Sequence, residues 1–179
     1  MNRNRFYPFT RPSRSGHSGY PAPPSWPRRR NPEDDEGVPE DFWGDEASGI
    51  MYTTGARVLL TLRSEEVLEP FTWGVPGGAI ESGEDAYPSA LREVREELGR
   101  NLPKGEVIDR YVFQTPSKSF RYTTFIVAVP ESAVELKFRL NWENDDWGWF
   151  TQRELASIDV HFGAKIVFKH KSDVIFFAK

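Results

Sequence analysis

Apolar and polar positions change their period repeatedly along this chain. Ile50–Thr54 and Arg57–Leu62 are short runs rich in aliphatic and β-branched residues, separated by Gly55, and they predict two strands joined by a turn. Glu106–Gln114, with Val107, Ile108, Tyr111 and Phe113, predicts a third strand, and Ser119–Val129 a fourth. Between these pairs the period lengthens. Ala90, Leu91, Val94 and Leu98 recur at steps of three and four, which predicts one face of a helix. Pro88 fits only in the first turn, so the helix starts near Asp85, with Ser82 or Asp85 as cap and Gly99 at its end. Further on, a short helix is expected at Gln152–Ser157. A last helix follows from His161 to Phe168, with Phe162, Ile166 and Val167 facing the core. The apolar segment Asp173–Ala178 then reads as a final strand. Helices alternating with strands predict the α/β class.

The polar face of the central helix changes this picture most. Glu93, Glu96 and Glu97 are three and four residues apart, so their carboxylates share one face. Like charges at that spacing destabilise an isolated helix by roughly 0.2–0.5 kcal/mol per pair. A solvated amphipathic helix has the same look, because charge runs are usually solvated faces. The order of the parts weighs against that bland reading. An aromatic connection (Phe71–Trp73), the turn Pro76-Gly77-Gly78 and a short acidic loop precede the helix. Such glycines let backbone approach a ligand. Clustered hard oxygen ligands suit Mg²⁺ or Mn²⁺.

On these residues the chain is similar to the Nudix hydrolase family. That family's signature places Gly78, Glu84, Arg92, Glu93, Val94, Glu96, Glu97 and Gly99 at the required spacing, and departs only at Arg100, where an apolar residue is usual. The resemblance covers roughly residues 49–170 and implies an α/β/α sandwich with a mixed β-sheet. It implies hydrolysis of a nucleoside diphosphate linked to another moiety, with Mg²⁺ or Mn²⁺ as cofactor. In the family's layout Glu93, Glu96, Glu97 and the carbonyl of Gly77 hold metal, Arg92 orients the carboxylates and Glu84 buttresses the loop. Glu143, six residues before Trp149, matches a glutamate that joins metal binding or acts as base in many members; Asp145 and Asp146 are its alternatives. Either Glu93 or Glu143 is the general base. The run Leu59–Ser64 resembles the start of a motif of coenzyme-A-directed members, but Leu68, Thr72 and Val75 break the rest of it.

Substrate contacts are expected from Arg63, Lys118 and Arg121 to phosphate, each weighed against an ordinary solvent-facing role. Tyr52, Phe71 and Trp73 are candidates to stack on a base, and core packing explains them as well. His161 reads as structural. A sensor that binds a nucleotide without cleaving it is the competing class, although the complete set of carboxylates argues against it.

Length and composition set the outer limits. The 179 residues suffice for one domain with a sizeable core, and the net charge of −4 selects no partner. With no cysteine, neither a disulfide framework nor a thiolate zinc site is possible, which suits a reducing cytoplasm. No apolar run approaches the roughly 18 residues of a membrane span, and no signal-peptide pattern opens the chain. Residues 1–48 are rich in proline and arginine, basic first and then acidic, and predict a disordered or extended tail before a domain at 49–179. Arginines interleaved with Phe6, Tyr7, Phe9, Tyr20 and Trp26 make this tail a candidate arm for RNA or a protein partner, against the plainer reading of a solvating linker. With that arm, an RNA 5′ end joins free nucleotides among the candidate substrates.

Overall fold

The computed structural model describes residues 46–177. Strand β1 (Glu46–Thr53) and strand β2 (Arg57–Arg63) form an antiparallel hairpin. Two short strands follow, β3 (Trp73–Gly74) and β4 (Gly77–Ala79), and then helix α1 (Ala86–Leu98). Strands β5 (Glu106–Gln114) and β6 (Arg121–Ala128) come next, and after them β7 (Asn144–Thr151) and helix α2 (Phe162–Ile175). The sheet runs β3-β2-β1-β6-β5, with β4 also paired to β1 and β7 to β2. Only the central pair β1–β6 is parallel, so the sheet is mixed.

Strand alternation builds the two apolar layers. Ile50, Tyr52, Leu59, Phe125 and Val127 point to one face and pack with Ala90, Val94 and Leu98 of α1. Met51, Val58, Leu60 and Ile126 point to the other face and pack with Val167 and Ile175 of α2. The result is an α/β/α sandwich, as the resemblance implied.

The boundaries move in informative ways. β1 begins at Glu46, so residues 46–48, assigned to the tail from the sequence, belong to the sheet. Ala47 and Ser48 are claimed on one side by Ala79 and Gly78 of β4 and on the other by Tyr122 and Thr123 of β6. The arginine and aromatic residues of that stretch lie outside the described residues. At the other end, Asp173–Ile175 belong to α2 rather than to a strand, because Thr53 Oγ1 donates to the carbonyl of Ile175 at 2.6 Å and Ile175 is fully buried. Phe162 is exposed at the helix start, meeting only the edge of Phe113, so it does not face the core. Asp85 does occupy the cap position of α1, yet its side chain accepts no amide hydrogen bond there.

Candidate functional site

Glu97 lies on the last turn of α1 and is buried. Its Oε1 accepts from the Gly77 amide and its Oε2 from Asn144 Nδ2, each at 2.7 Å. Backbone geometry brings these partners together. The last carbonyls of a helix have no partner inside it. Here the segment entering β7 supplies them, because Asn141 N donates to Glu97 O and Arg139 N to Leu98 O, both at 3.0 Å. That docking sets Glu143 and Asn144 beside the helix end. Glu143 is then fixed twice: its carbonyl accepts from Ser64 N at 2.8 Å, and its Oε2 accepts from Asn141 Nδ2 at 2.8 Å.

One turn earlier, Arg92 gathers the polar groups. Its Nη1 donates to Glu93 Oε1 at 2.7 Å and lies 3.6 Å from Glu96 Oε1. Its Nη2 donates to Glu84 Oε2 and to the carbonyl of Ala79, each at 3.0 Å, and to Ser89 Oγ at 3.2 Å. A guanidinium presents its donors as a rigid planar fork, so it can hold three carboxylates and a strand-end carbonyl at once. The Glu93 carboxylate in turn lies against Gly78. A Cβ at that position would stand 2.6 Å from Glu93 Cδ, so the second glycine of the turn is the space the carboxylate occupies.

Charge is concentrated here. Burial pushes the Glu97 carboxyl up to about 8, with the Glu143 charge adding to the rise, while the Gly77 amide and Asn144 oppose it. Burial also raises Glu93, and Glu96 and Glu143 push in the same direction against Arg92. Glu93, Glu96, Glu97 and Glu143, with oxygen as the only ligand atom, form a donor set that fits a hard divalent cation. Among the described residues no three of these groups already converge on one ion position, since each one described is turned toward a protein donor.

The family model of the NUDIX domain matches residues 44–170. The chain belongs to the Nudix hydrolase family. Nudix hydrolases act on phosphoanhydride bonds. A nucleoside triphosphatase, NudI, of Escherichia coli O139:H28 is 25% identical over 124 residues, 65% of this chain and 87% of its own length. Among solved structures, the Ap4A hydrolase of C. elegans gives a TM-score of 0.57 at 17% identity, over 74% of this chain and 99% of that one. The Nudix hydrolase RenU of M. smegmatis gives 0.56 at 23% identity, over 75% and 87%. At such identities the two structures establish the fold alone.

Around the Nudix helix the other expected residues divide. Arg63 is half-buried, its Nε donating to Leu68 O at 2.8 Å, and its charge is felt by both Glu97 and Tyr122. Trp73 packs edge-on against Phe150 with centroids 4.7 Å apart, and its amide donates to Asp159 O, so it is part of the core wall. Tyr52 is likewise buried, which leaves Phe71 as the exposed ring of the three aromatic candidates. Arg121 is paired with Glu46 at the start of β1. Lys118 sits exposed in the β5–β6 turn, with a φ of 62°. His161 caps α2, its Nδ1 accepting from Gly163 N at 3.1 Å, which agrees with a structural role. Asp146 spends a carboxylate oxygen on the neighbouring Trp147 amide.

Three neighbours of the site were not anticipated. Asn144 hides in an acidic run whose carboxylates draw attention first. Ser89 reads as an ordinary helix residue. Tyr122 reads as a strand aromatic, although its hydroxyl lies beside Gly77, where burial and then the Glu97 charge raise its pKa.

Proposed function

We propose that this chain is a divalent-metal-dependent hydrolase that cleaves the phosphoanhydride of a nucleoside diphosphate linked to another group. The observation that carries the reading is the buried Glu97. It is fixed by the Gly77 amide and Asn144, and Glu93, Glu96 and Glu143 are its carboxylate neighbours. Glu93, Glu96, Glu97 and the Gly77 carbonyl are the groups that would hold Mg²⁺ or Mn²⁺. When bound, such a cation neutralises phosphate oxygens and makes an attacking water more acidic.

The chain's own groups do the rest. Arg92 opposes the burial that raises Glu93, aims its carboxylate and ties it to the Glu84 loop. Glu143 is the better candidate for general base, because its carboxylate accepts from the neutral Asn141 amide, whereas Glu93 is held in a charge-assisted bond. Arg63 is anchored through Nε, and among the described residues its other donors make no hydrogen bond, which suits them to a substrate phosphate. Phe71, whose amide donates to the Arg63 carbonyl at 2.9 Å, offers an exposed ring to the base.

The nucleotide class is supported by the family and by relatives such as NudI, named a nucleoside triphosphatase. The test is a Mg²⁺-dependent hydrolysis screen over nucleoside triphosphates, ADP-ribose, dinucleoside polyphosphates and a 5′-triphosphorylated RNA. Turnover of one class, reduced at least 100-fold in Glu143→Gln with Mg²⁺ affinity retained, supports both reaction and base. Full activity of Glu143→Gln returns the base to Glu93.

A further inference from the structure

A second cavity, of 310 Å³, opens on the other side of the Nudix helix. Residues two apart on a helix point about 200° apart, so Arg95 faces away from both Glu93 and Glu97. Tyr87, Leu91 and Arg95 line the cavity from α1, Tyr52 closes it from β1, and Arg100 and Lys104 approach from the loop beyond the helix. This is a volume near the lower end of ligand pockets, roughly 300–1,000 Å³, and suits one mononucleotide-sized compound.

Two independent features point to an anionic ligand. The first is uncompensated positive charge. Among the described residues, Arg95, Arg100 and Lys104 form no ion pair with an acidic side chain, while Glu96, next to Arg95 in sequence, is drawn to Arg92. Arg100 stands where the family signature has an apolar residue, so this chain departs from its family by adding a cation to the rim. The second feature is Tyr52. It is only 2% exposed, its ring is packed in the core, and among the described residues its hydroxyl makes no hydrogen bond. Unlike Ser48 Oγ and Trp149 Nε1 it is not sealed from solvent, and Tyr52 lines the same cavity as Arg95 and Tyr87.

We propose that this cavity is a second, metal-independent site for a nucleoside monophosphate, lying apart from the carboxylate centre. Arg95, Arg100 and Lys104 hold the phosphate, as guanidinium forks and ammonium groups do elsewhere. The Tyr52 hydroxyl supplies a directed hydrogen bond, and Tyr87 with Leu91 covers the ring of the nucleoside.

The experiment is calorimetric titration of the full chain with adenosine monophosphate in EDTA, alongside inorganic phosphate. One molecule is expected to bind per chain, at least tenfold more tightly than phosphate. The Kd should rise at least tenfold when Arg95→Gln and Arg100→Gln are combined, and severalfold in Tyr52→Phe, whose hydroxyl supports nothing in the fold. It should be unchanged in Glu97→Gln. Unfolding temperatures of the variants establish that they fold. Absence of binding in EDTA, binding no tighter than phosphate, or binding lost in Glu97→Gln but not in the arginine variants overturns the proposal.

Discussion

Asn144 Nδ2 stands 2.7 Å from Glu97 Oε2 across a separation of 47 residues, and both side chains are buried. This bond joins the end of the Nudix helix to the start of β7. Among the described residues the Gly77 amide is the donor to one oxygen of this carboxylate, and Asn144 Nδ2 is the donor to the other. Replacing Asn144 by Leu leaves that oxygen unpaired in the interior, and such groups destabilise by about 1–3 kcal/mol. Loss of a group that orients a metal ligand lowers affinity or activity about 10–100-fold. Asn144→Leu is therefore expected to lower the denaturant midpoint and to weaken Mg²⁺-dependent turnover. Wild-type turnover in this variant would remove Asn144 from the account.

Gly78→Ala separates the site from the fold. The added methyl would meet the carboxylate of Glu93 at 2.6 Å, the flexible end of a side chain that can swing aside. Stability should change by less than about 1 kcal/mol, in the range of surface substitutions. Turnover should fall at least tenfold, since Glu93 leaves its position. Gly49→Ala is the control: its methyl would meet the backbone carbonyl of Pro76 at 2.6 Å, which cannot swing aside, so stability itself should fall.

Lys171 Nζ donates to Asp109 Oδ2 at 2.7 Å, joining α2 to β5, and this bond holds the Asp109 carboxyl below its ordinary range. A carboxylate with a depressed folded-state pKa stabilises the fold above its unfolded pKa of about 3.9. That contribution disappears as pH falls through the lower, folded value. Lys171→Met should therefore reduce stability at pH 7 by up to ~1 kcal/mol and leave it nearly unchanged at pH 2. Denaturant midpoints of both proteins at the two pH values check the sign. An equal loss at both would mean that the methylene stem, not the charge, matters.

Much of this architecture was legible in the sequence because its signals are local. Runs rich in aliphatic, β-branched and aromatic residues mark β2, β5 and β6, and the step of four at Ala90, Val94 and Leu98 marks α1 and its buried face. The carboxylates of the site sit on that same helix, so their common face could be read directly. Asn144 could not be found this way. Its role depends on α1 and β7 meeting end to end, and Asn141–Asp146 carries no apolar rhythm to announce a strand. The length of α2 was hidden for a related reason. Asp173–Ile175 has the composition of a strand, Lys171 leaves helical geometry at φ −131°, and only the distant Thr53 hydroxyl decides where the segment ends. The start of β1 was masked because Glu46, Ala47 and Ser48 are polar or small, and it is the two neighbouring strands that hold them.

Glu97→Gln is the decisive substitution. Glutamine keeps an oxygen for the Gly77 amide, and its nitrogen can donate to Asn144 once that side-chain amide turns over, so the fold should persist. The neutral side chain also avoids the burial of charge that pushes Glu97 up to about 8. The measurement is Mg²⁺-dependent hydrolysis of the preferred nucleotide by the wild-type chain and by Glu97→Gln, with unfolding temperatures beside it. An intact fold and a loss of turnover of at least 100-fold are expected. A folded Glu97→Gln protein with full activity would contradict the role of Glu97 as a metal ligand.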